Sequence, residues 1–289
     1  MKPAAAQGRR PIVALAVIAG AGAGAILAAA LLNIFGYSVR AYTPGSLQVG
    51  GFTLANFVRM VSAAHLAVLW DTIFLGFVSA VLSLLLSFPL AYAMVRATRN
   101  WVKALLFLVA IMPLFTGDVT RTYAWTVVLG DHGFLNVALM AAGLIEHPLS
   151  LLYTRAGVVI VLVQYPIPVM TMIIAAGLRH VGTEHERAAA TLGATSFQIM
   201  TRIVLPLALP GITSALILVF AWNLSAFATP QLIGGGRVPM IANLVYQEGV
   251  LSFDLPLAAS LSLLALALTL VLVEVSRLCL RRLGERAPA

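Results

Sequence analysis

The sequence predicts an all-α membrane protein with six transmembrane helices and with both termini in the cytoplasm. Three observations support this fold class. Of the 289 residues, 61% are hydrophobic and only 10% are charged, whereas soluble domains average about 25% charged residues. The apolar residues gather in uncharged runs, several of which approach or exceed the roughly 20 residues that a helix needs to cross a bilayer. Most of the 18 lysines and arginines lie between those runs, on one predicted side.

The first uncharged run, residues 11–34, follows Lys2, Arg9 and Arg10. It is longer than the apolar core of a cleavable signal, which has about 7–15 residues, so we expect a retained helix. Residues 1–10 are then a cytoplasmic N-terminus, residues 11–279 the transmembrane domain and residues 280–289 a cytoplasmic tail. The predicted spans cover residues 11–34, 70–95, 101–120, 156–178, 207–230 and 255–276.

The third span is the least regular of the six. Its uncharged core, Ala104–Gly117, is shorter than a full crossing, and the next apolar stretch, residues 122–145, is broken by Gly130, Asp131, His132 and Gly133. A seventh span there would put the basic residues of one terminus outside, against the positive-inside rule. We therefore expect residues 122–145 to be external or re-entrant.

With six spans, 13 of the 18 basic residues face the cytoplasm. The net charge of +8 is then a consequence of membrane orientation, and no nucleic-acid partner is expected. Membrane lipid surrounds the spans. The single cysteine, Cys279, rules out a disulfide within the chain.

The stretch at residues 184–212 leads from the predicted fourth span into the start of the fifth, and it opens with the polar residues Glu184, His185, Glu186 and Arg187. Alanines at 188–190 favour a short helix, and Gly193 can adopt the positive φ that ends it. Thr195 or Ser196 can cap a second helix from Phe197 to about Val204. The sequence thus predicts two short helices at the membrane surface, joined at Gly193.

The same stretch resembles the cytoplasmic motif E-A-A-x₃-G-x₉-I-x-L-P of bacterial ABC importer permease subunits. It departs from the motif at the first position, where Arg187 replaces the usual glutamate and Glu186 lies one residue earlier. The matching residues are Ala188, Ala189, Gly193, Ile203, Leu205 and Pro206.

This resemblance implies that residues 179–206 form a coupling loop, which docks on a separate ATPase subunit. The ATP and its magnesium ion would then be bound by that subunit. This chain, which lacks a phosphate-binding loop motif, would bind no cofactor and would not be an enzyme. The implied ATPase-coupling residues are Glu184, Glu186, Arg187, Ala188, Ala189, Gly193, Ile203, Leu205 and Pro206.

Three further stretches resemble the spermidine/putrescine class of these permeases: Met112–Asn136, Leu151–Met170 and Phe227–Gln247. This resemblance implies a multi-pass protein of the bacterial inner membrane that imports polyamines. It also implies three kinds of partner: a second permease subunit, ATP-binding subunits and an extracytoplasmic solute-binding protein. Relatives that import aminoethylphosphonate, opines or ferric iron share much of the pattern, so those solutes are alternatives.

Polar residues within or beside the predicted spans are candidates for the substrate pathway, because burying them in a membrane is costly. Each has a structural alternative: an amide can bond a neighbouring helix, and an Asp–Arg pair can form at the surface. Pro166 and Pro168 interrupt backbone hydrogen bonding, which either lines a pathway or is repaired by neighbouring side chains. The candidate pathway residues are Asp118, Arg121, Tyr165, Asn223 and Ser225.

A self-contained secondary transporter is the main competing function. Such proteins show internal repeats and ionisable residues near the middle of the membrane, whereas Asp71, Asp254 and Glu274 lie at span ends. A membrane-embedded enzyme is disfavoured because the five histidines are scattered without metal-ligand spacing, and no metal site is predicted.

Overall fold

A computed structural model describes residues 9–44 and 50–284 of the chain, with side chains for residues 17–44 and 50–278. The regular secondary structure in these ranges is helical. In these ranges the only β pairing is an isolated bridge between Arg40 and Phe52. A 3₁₀ turn covers Met112–Phe115, and π turns cover Met200–Val204 and Gln247–Leu251. The helices are α1 (Arg9–Ser38), α2 (Ala55–Arg59), α3 (Ala63–Arg96), α4 (Asn100–Ile111), α5 (Asp118–Leu129), α6 (Phe134–Ala141), α7 (Arg155–Gln164), α8 (Ile167–His180), α9 (Thr183–Thr191), α10 (Ser196–Ile199), α11 (Leu205–Leu224), α12 (Ala228–Leu232), α13 (Ile241–Tyr246) and α14 (Leu255–Gly284).

Four helical segments are long and apolar enough to cross a membrane: Val17–Ser38, Ala63–Arg96, Ser196–Leu224 and Leu255–Leu278. Two further crossings arise if each of two bent helix pairs counts as one span. The first pair is bent by 103° after Phe115, and the second by 47° after Gln164. The all-α membrane class is therefore confirmed, whereas the count of six and the cytoplasmic position of the termini stay predictions.

The described chain divides into two units, and the larger one comprises residues 63–244 and 265 onwards. Its main core lies where α3, α8 and α11 pack together. Gly177 of α8 and Gly211 of α11 meet at this crossing, and a Cβ added to either would lie 3.1–3.2 Å from the other's Cα. Glycine pairs of this kind let membrane helices approach closely. The buried residues of this core are Ala80, Ala91, Met94, Met170, Ile174, Ala175, Leu178, Val204, Ala208, Ile212, Ala215, Val219, Phe220 and Leu224.

A second cluster of the larger unit, centred on α7, lies beside the 47° bend. Two buried serines of α3 supply hydrogen bonds at that bend: Ser83 donates to the Val163 carbonyl at 2.8 Å, and Ser87 to the Ile167 carbonyl at 3.4 Å. Carbonyls freed by a proline break are costly in hydrocarbon unless another group bonds them. The carbonyls that lose their helical donors to Pro166 and Pro168 are those of Leu162 and Gln164, four residues earlier. The two serine bonds therefore brace the bend, and both alternatives for the prolines remain open.

The smaller unit comprises residues up to 62 together with 245–264. Asp254 caps α14, since its carboxylate accepts the Leu257 N–H at 3.0 Å, and it also pairs with Arg59 at 2.8 Å. Asn56 donates to the carbonyls of Ser38 and Arg40 and so fixes the turn after α1. Residues 17–33 of α1 are all exposed, so this helix leaves its apolar surface open to lipid or another chain.

The fifth predicted span differs from the structure at both ends. A continuous helical segment runs from Ser196 to Leu224, instead of a short surface helix followed by a span over 207–230. Pro206 lies inside this segment without ending it, although a proline in a helix interior lacks the N–H for one backbone hydrogen bond. The preceding π turn keeps the chain helical, with the Leu205 N–H bonded to the Met200 carbonyl.

Parts of the predicted layout lie outside the described residues. These include residues 1–8 of the N-terminus and residues 285–289 of the tail. The side chains of Cys279 and of the tail arginines lie outside the described side chains.

Candidate functional site

The predicted coupling loop, residues 179–206, forms a hairpin whose turn follows the sequence prediction. Gly193 has φ +82°, a conformation that side chains other than glycine rarely adopt. Its N–H donates to the Ala190 carbonyl and that of Ala194 to the Ala189 carbonyl, so two terminal carbonyls of α9 are satisfied. Thr195 caps α10 through a reciprocal pair of bonds with Gln198, at 3.3 Å and 2.9 Å.

Glu186 faces inward, towards the end of α3. Its carboxylate accepts from Arg96 Nε at 2.8 Å and from the Tyr92 hydroxyl at 3.2 Å. Arg96 also donates to the Val181 carbonyl at 2.8 Å, which ties down the chain just before α9. The Arg96 and Glu186 side chains are only 15% and 16% exposed. An ion pair with this little solvent contact is screened weakly, so α9 is held to α3 through Glu186.

The opposite face of α9 is solvent-accessible and carries the unusual charge. Glu184, Arg187 and Ala188 are exposed, whereas Ala189 is half-buried on the same side as Glu186. Residues three or four apart share a helix face, which explains this division. The residue that replaces the family's glutamate, Arg187, therefore points away from the clamp formed by Tyr92, Arg96 and Glu186.

Two apolar side chains that were not predicted as coupling residues dominate the tip of the hairpin. Leu192 is 89% exposed and Phe197 is 76% exposed. The signal for them was present in the sequence, because large apolar residues in a polar loop have no core or lipid to bury them. Tyr92 and Arg96 could not be linked to Glu186 in the same way, since they lie far away in sequence.

The last motif residues belong to the start of the long fifth helix. Ile203 lies in the π turn and is half-buried, and the neighbouring Val204 is fully buried in the main core. Leu205 and Pro206 are exposed. This end of the motif therefore connects the hairpin to the core.

Three of the five candidate pathway residues come together in a cluster that we name the Arg121 cluster. Its members are Pro113, Asp118, Arg121, Tyr165 and Trp222. The Arg121 guanidinium donates to the Pro113 carbonyl at 3.1 Å and lies 3.5 Å from a carboxylate oxygen of Asp118. Its central carbon lies 4.2 Å from the centre of the Tyr165 ring. The Tyr165 ring in turn meets Trp222 edge-on, with ring centres 5.0 Å apart.

The exposure of the two charged groups in this cluster differs. The Arg121 side chain is only 11% exposed, whereas that of Asp118 is 50% exposed. The cluster also sits where both bent helix pairs are interrupted: Pro113 precedes the 103° bend and Tyr165 lies at the 47° bend. Irregular backbone at membrane depth is tolerated where it is buried in protein or lines a polar cavity.

The other two pathway candidates are Asn223 and Ser225. Asn223 is buried and donates weakly to the Gly76 carbonyl at 3.4 Å, as a bond between helices would. Its side-chain oxygen has no hydrogen-bond partner among the described residues. Ser225 donates to the carbonyl of Trp222, one helical turn earlier. Neither side chain touches Asp118 or Arg121 through a hydrogen bond described here.

The comparisons with known proteins agree on one class. The family described as "binding-protein-dependent transport system inner membrane component" matches residues 83–287. The spermidine/putrescine transport system permease protein PotB of Haemophilus influenzae is 29% identical over 77% of this chain and 78% of its own length. The inner membrane ABC transporter permease protein YdcU of Escherichia coli is 30% identical over 78% of this chain and 76% of its own.

The fold is shared with a solved transporter. A chain of the bacterial alginate ABC transporter, crystallised with an alginate-bound periplasmic protein, superposes with a TM-score of 0.68. The two chains are 19% identical, and the match covers 81% of this chain and 84% of the other. The family model covers well over half of the sequence. The chain therefore belongs to the inner-membrane components of binding-protein-dependent transport systems, and it is a permease subunit of an ABC importer.

Proposed function

We propose that this permease subunit imports polyamines such as spermidine and putrescine. The observation that carries the proposal is the Arg121 cluster, in which a half-exposed carboxylate and an aromatic face meet at the two helix bends. Carboxylates and ring faces are the groups that attract ammonium ions, and a polyamine carries several of these. The resemblance to the PotB permease supports the same substrate class.

We also propose that ATP and magnesium are bound by separate ATP-binding subunits and that the chain itself binds no cofactor. The further partners are a second permease subunit and an extracytoplasmic solute-binding protein. The exposed apolar surface of α1, over residues 17–33, suits a second permease subunit or lipid. Since those residues offer no charge, contacts there would depend on packing of small and apolar side chains.

The outward face of the coupling loop is the proposed docking site for the ATP-binding subunit. Leu192 and Phe197 supply an exposed apolar tip, and Arg187 and Glu184 flank it with charge. Buried apolar anchors usually carry most of the binding energy in an interface. We therefore assign direct contact to the tip and a supporting role to the inward-facing Glu186.

Replacing Leu192 with aspartate should weaken docking by at least 2 kcal/mol, the usual threshold for an interface hot spot, or about thirtyfold in Kd. A charge at the centre of an apolar contact is desolvated without compensation. Pull-down of the ATP-binding subunit with the detergent-solubilised permease measures the effect. Leu192→Met keeps an apolar side chain and serves as the matched control. Unchanged pull-down by Leu192→Asp would place the docking site elsewhere.

Asp118→Asn tests the substrate and the pathway together. The substitution keeps the side-chain shape and removes the charge, so spermidine uptake should fall at least tenfold while the complex assembles and hydrolyses ATP. Labelled spermidine uptake into vesicles containing the complete transporter measures this. Undiminished uptake would remove Asp118 from the pathway, and absence of polyamine uptake by the unmutated transporter would refute the polyamine proposal.

An anionic solute such as aminoethylphosphonate is the second candidate. One observation favours it: Arg121 is a largely buried cation within the same cluster, and guanidinium groups bind phosphonates and carboxylates well. Under this alternative, removing Arg121 would abolish uptake of the anion, whereas Asp118→Asn would leave that uptake intact or raise it.

A further inference from the structure

The Arg121 guanidinium occupies the position at which a substrate cation would make its contacts. Three groups that recognise cations surround it: the Pro113 carbonyl at 3.1 Å, the Tyr165 ring face at 4.2 Å and the Asp118 carboxylate at 3.5 Å. Each of these groups binds an ammonium ion as readily as a guanidinium, because none of the three contacts depends on a planar, two-pronged donor. The cage is therefore a general cation site that already contains a cation.

The contacts that hold Arg121 there are weak enough to be exchanged. At 3.5 Å, the approach to Asp118 is beyond the usual length of a charge-assisted hydrogen bond, about 2.7–2.9 Å. The Asp118 side chain is half-exposed, so part of the carboxylate remains open to an incoming charge. By contrast, the Arg96–Glu186 pair of the same unit has a bond of 2.8 Å between side chains that are both mostly buried.

The position of the cation cage, formed by Pro113, Asp118 and Tyr165, also favours replacement of Arg121 by another cation. It is built by the 3₁₀ turn after α4, the first turn of α5, the break between α7 and α8, and the end of α11. Two of these parts are helix interruptions at bends of 103° and 47°. A modest change in either bend angle alters the distances among Pro113, Asp118 and Tyr165. The contacts of these three residues with Arg121 then weaken or strengthen.

We propose that Arg121 is a tethered competitor that fills the cation cage in the resting transporter and that the ammonium group of the substrate displaces it. This inference rests on the proposed import of polyamines. A resident cation keeps the half-exposed carboxylate, the partly buried Tyr165 ring and the Pro113 carbonyl partnered when no substrate is present. It also lowers the intrinsic affinity of the pathway, so that substrate delivered by a binding protein is released onward and not retained.

The test is equilibrium binding of labelled spermidine to the purified transporter complex without the solute-binding protein. Arg121→Ala removes the competitor and should raise spermidine affinity at least tenfold over the unmutated complex. Arg121→Met removes the charge but keeps the apolar stem, and it should give the same gain if the alanine variant is poorly folded. Adding Asp118→Asn to either variant should abolish the gain, because the carboxylate is then missing from the cage.

Arg155→Ala is the matched control. Arg155 also pairs with an aspartate, Asp71, at 2.8 Å, but its side chain is 63% exposed, so its removal should leave spermidine binding unchanged. The competitor role would be overturned if both Arg121 variants fold and bind spermidine no more tightly than the unmutated complex. This test requires that the unmutated transporter imports spermidine. A gain that persists with Asp118→Asn would also overturn it, because the bound cation would then lie elsewhere. Failure of the polyamine proposal itself is recognised separately, by absent spermidine uptake in the unmutated transporter.

Discussion

Arg96→Ala is expected to reduce substrate uptake at least tenfold by releasing the coupling loop from the transmembrane core. The Arg96–Glu186 pair joins α3 directly to α9, and both side chains are mostly buried. Removing Arg96 leaves the mostly buried Glu186 charge with the Tyr92 hydroxyl as its remaining donor. Breaking a buried ion pair in this way costs up to about 3–5 kcal/mol. The Val181 carbonyl loses its Arg96 donor in the same substitution. Movement of the loop would then no longer be transmitted to α3.

Uptake and ATP hydrolysis by the reconstituted transporter measure this effect, with hydrolysis expected to lose its response to substrate. Arg277→Ala is the control, because the Arg277–Glu274 pair is more than half exposed on both sides and exposed pairs contribute about 0–1 kcal/mol. A double variant, Arg96→Met with Glu186→Leu, replaces the pair by apolar groups and should recover much of the stability. Normal uptake by Arg96→Ala would show that the clamp is not part of the coupling route.

Gly211→Leu should destabilise the larger unit by about 1–3 kcal/mol or more, since added side-chain atoms have no room at this helix crossing. A Cβ at Gly211 already lies 3.1 Å from the Gly177 Cα, and that neighbour is backbone, which cannot rotate away. The helices α8 and α11 would have to separate, which would loosen the main core. A lower thermal unfolding temperature of the detergent-purified protein is the expected readout.

Ser214→Leu provides a control on the same helix. Ser214 is exposed, so a leucine there projects away from the core and should be tolerated in a membrane or detergent environment. An unfolding temperature for Gly211→Leu equal to that of Ser214→Leu would mean that the close glycine contact contributes little to stability.

Local features of the coupling loop were predictable from the sequence because their causes lie within a few residues. Gly193 has the positive φ that ends α9, and Thr195 forms the cap that the pattern favours. The start of the fifth helix was predicted wrongly, as a short surface helix followed by a separate span from residue 207. In the structure Pro206 follows a π turn, and the chain stays helical through it.

Long-range contacts were not predictable, because nothing in the sequence near one partner indicates the other. The i,i+3 spacing of Asp118 and Arg121 predicted their proximity, but not the Tyr165 ring beneath the guanidinium. Likewise, the short uncharged core of the third predicted span indicated that this span is irregular. It did not indicate the 103° bend. The serine bonds beside the α7–α8 break depend on how α3 is placed against that break, which the sequence does not show.

The central claim is that this chain forms a polyamine pathway driven by a separate ATPase. Labelled spermidine uptake into proteoliposomes, with each component omitted in turn, tests this claim most directly. We predict uptake only when the second permease subunit, the ATP-binding subunits, the solute-binding protein and ATP accompany this chain. Spermidine uptake by this chain alone, driven by an ion gradient and indifferent to ATP, would contradict the account.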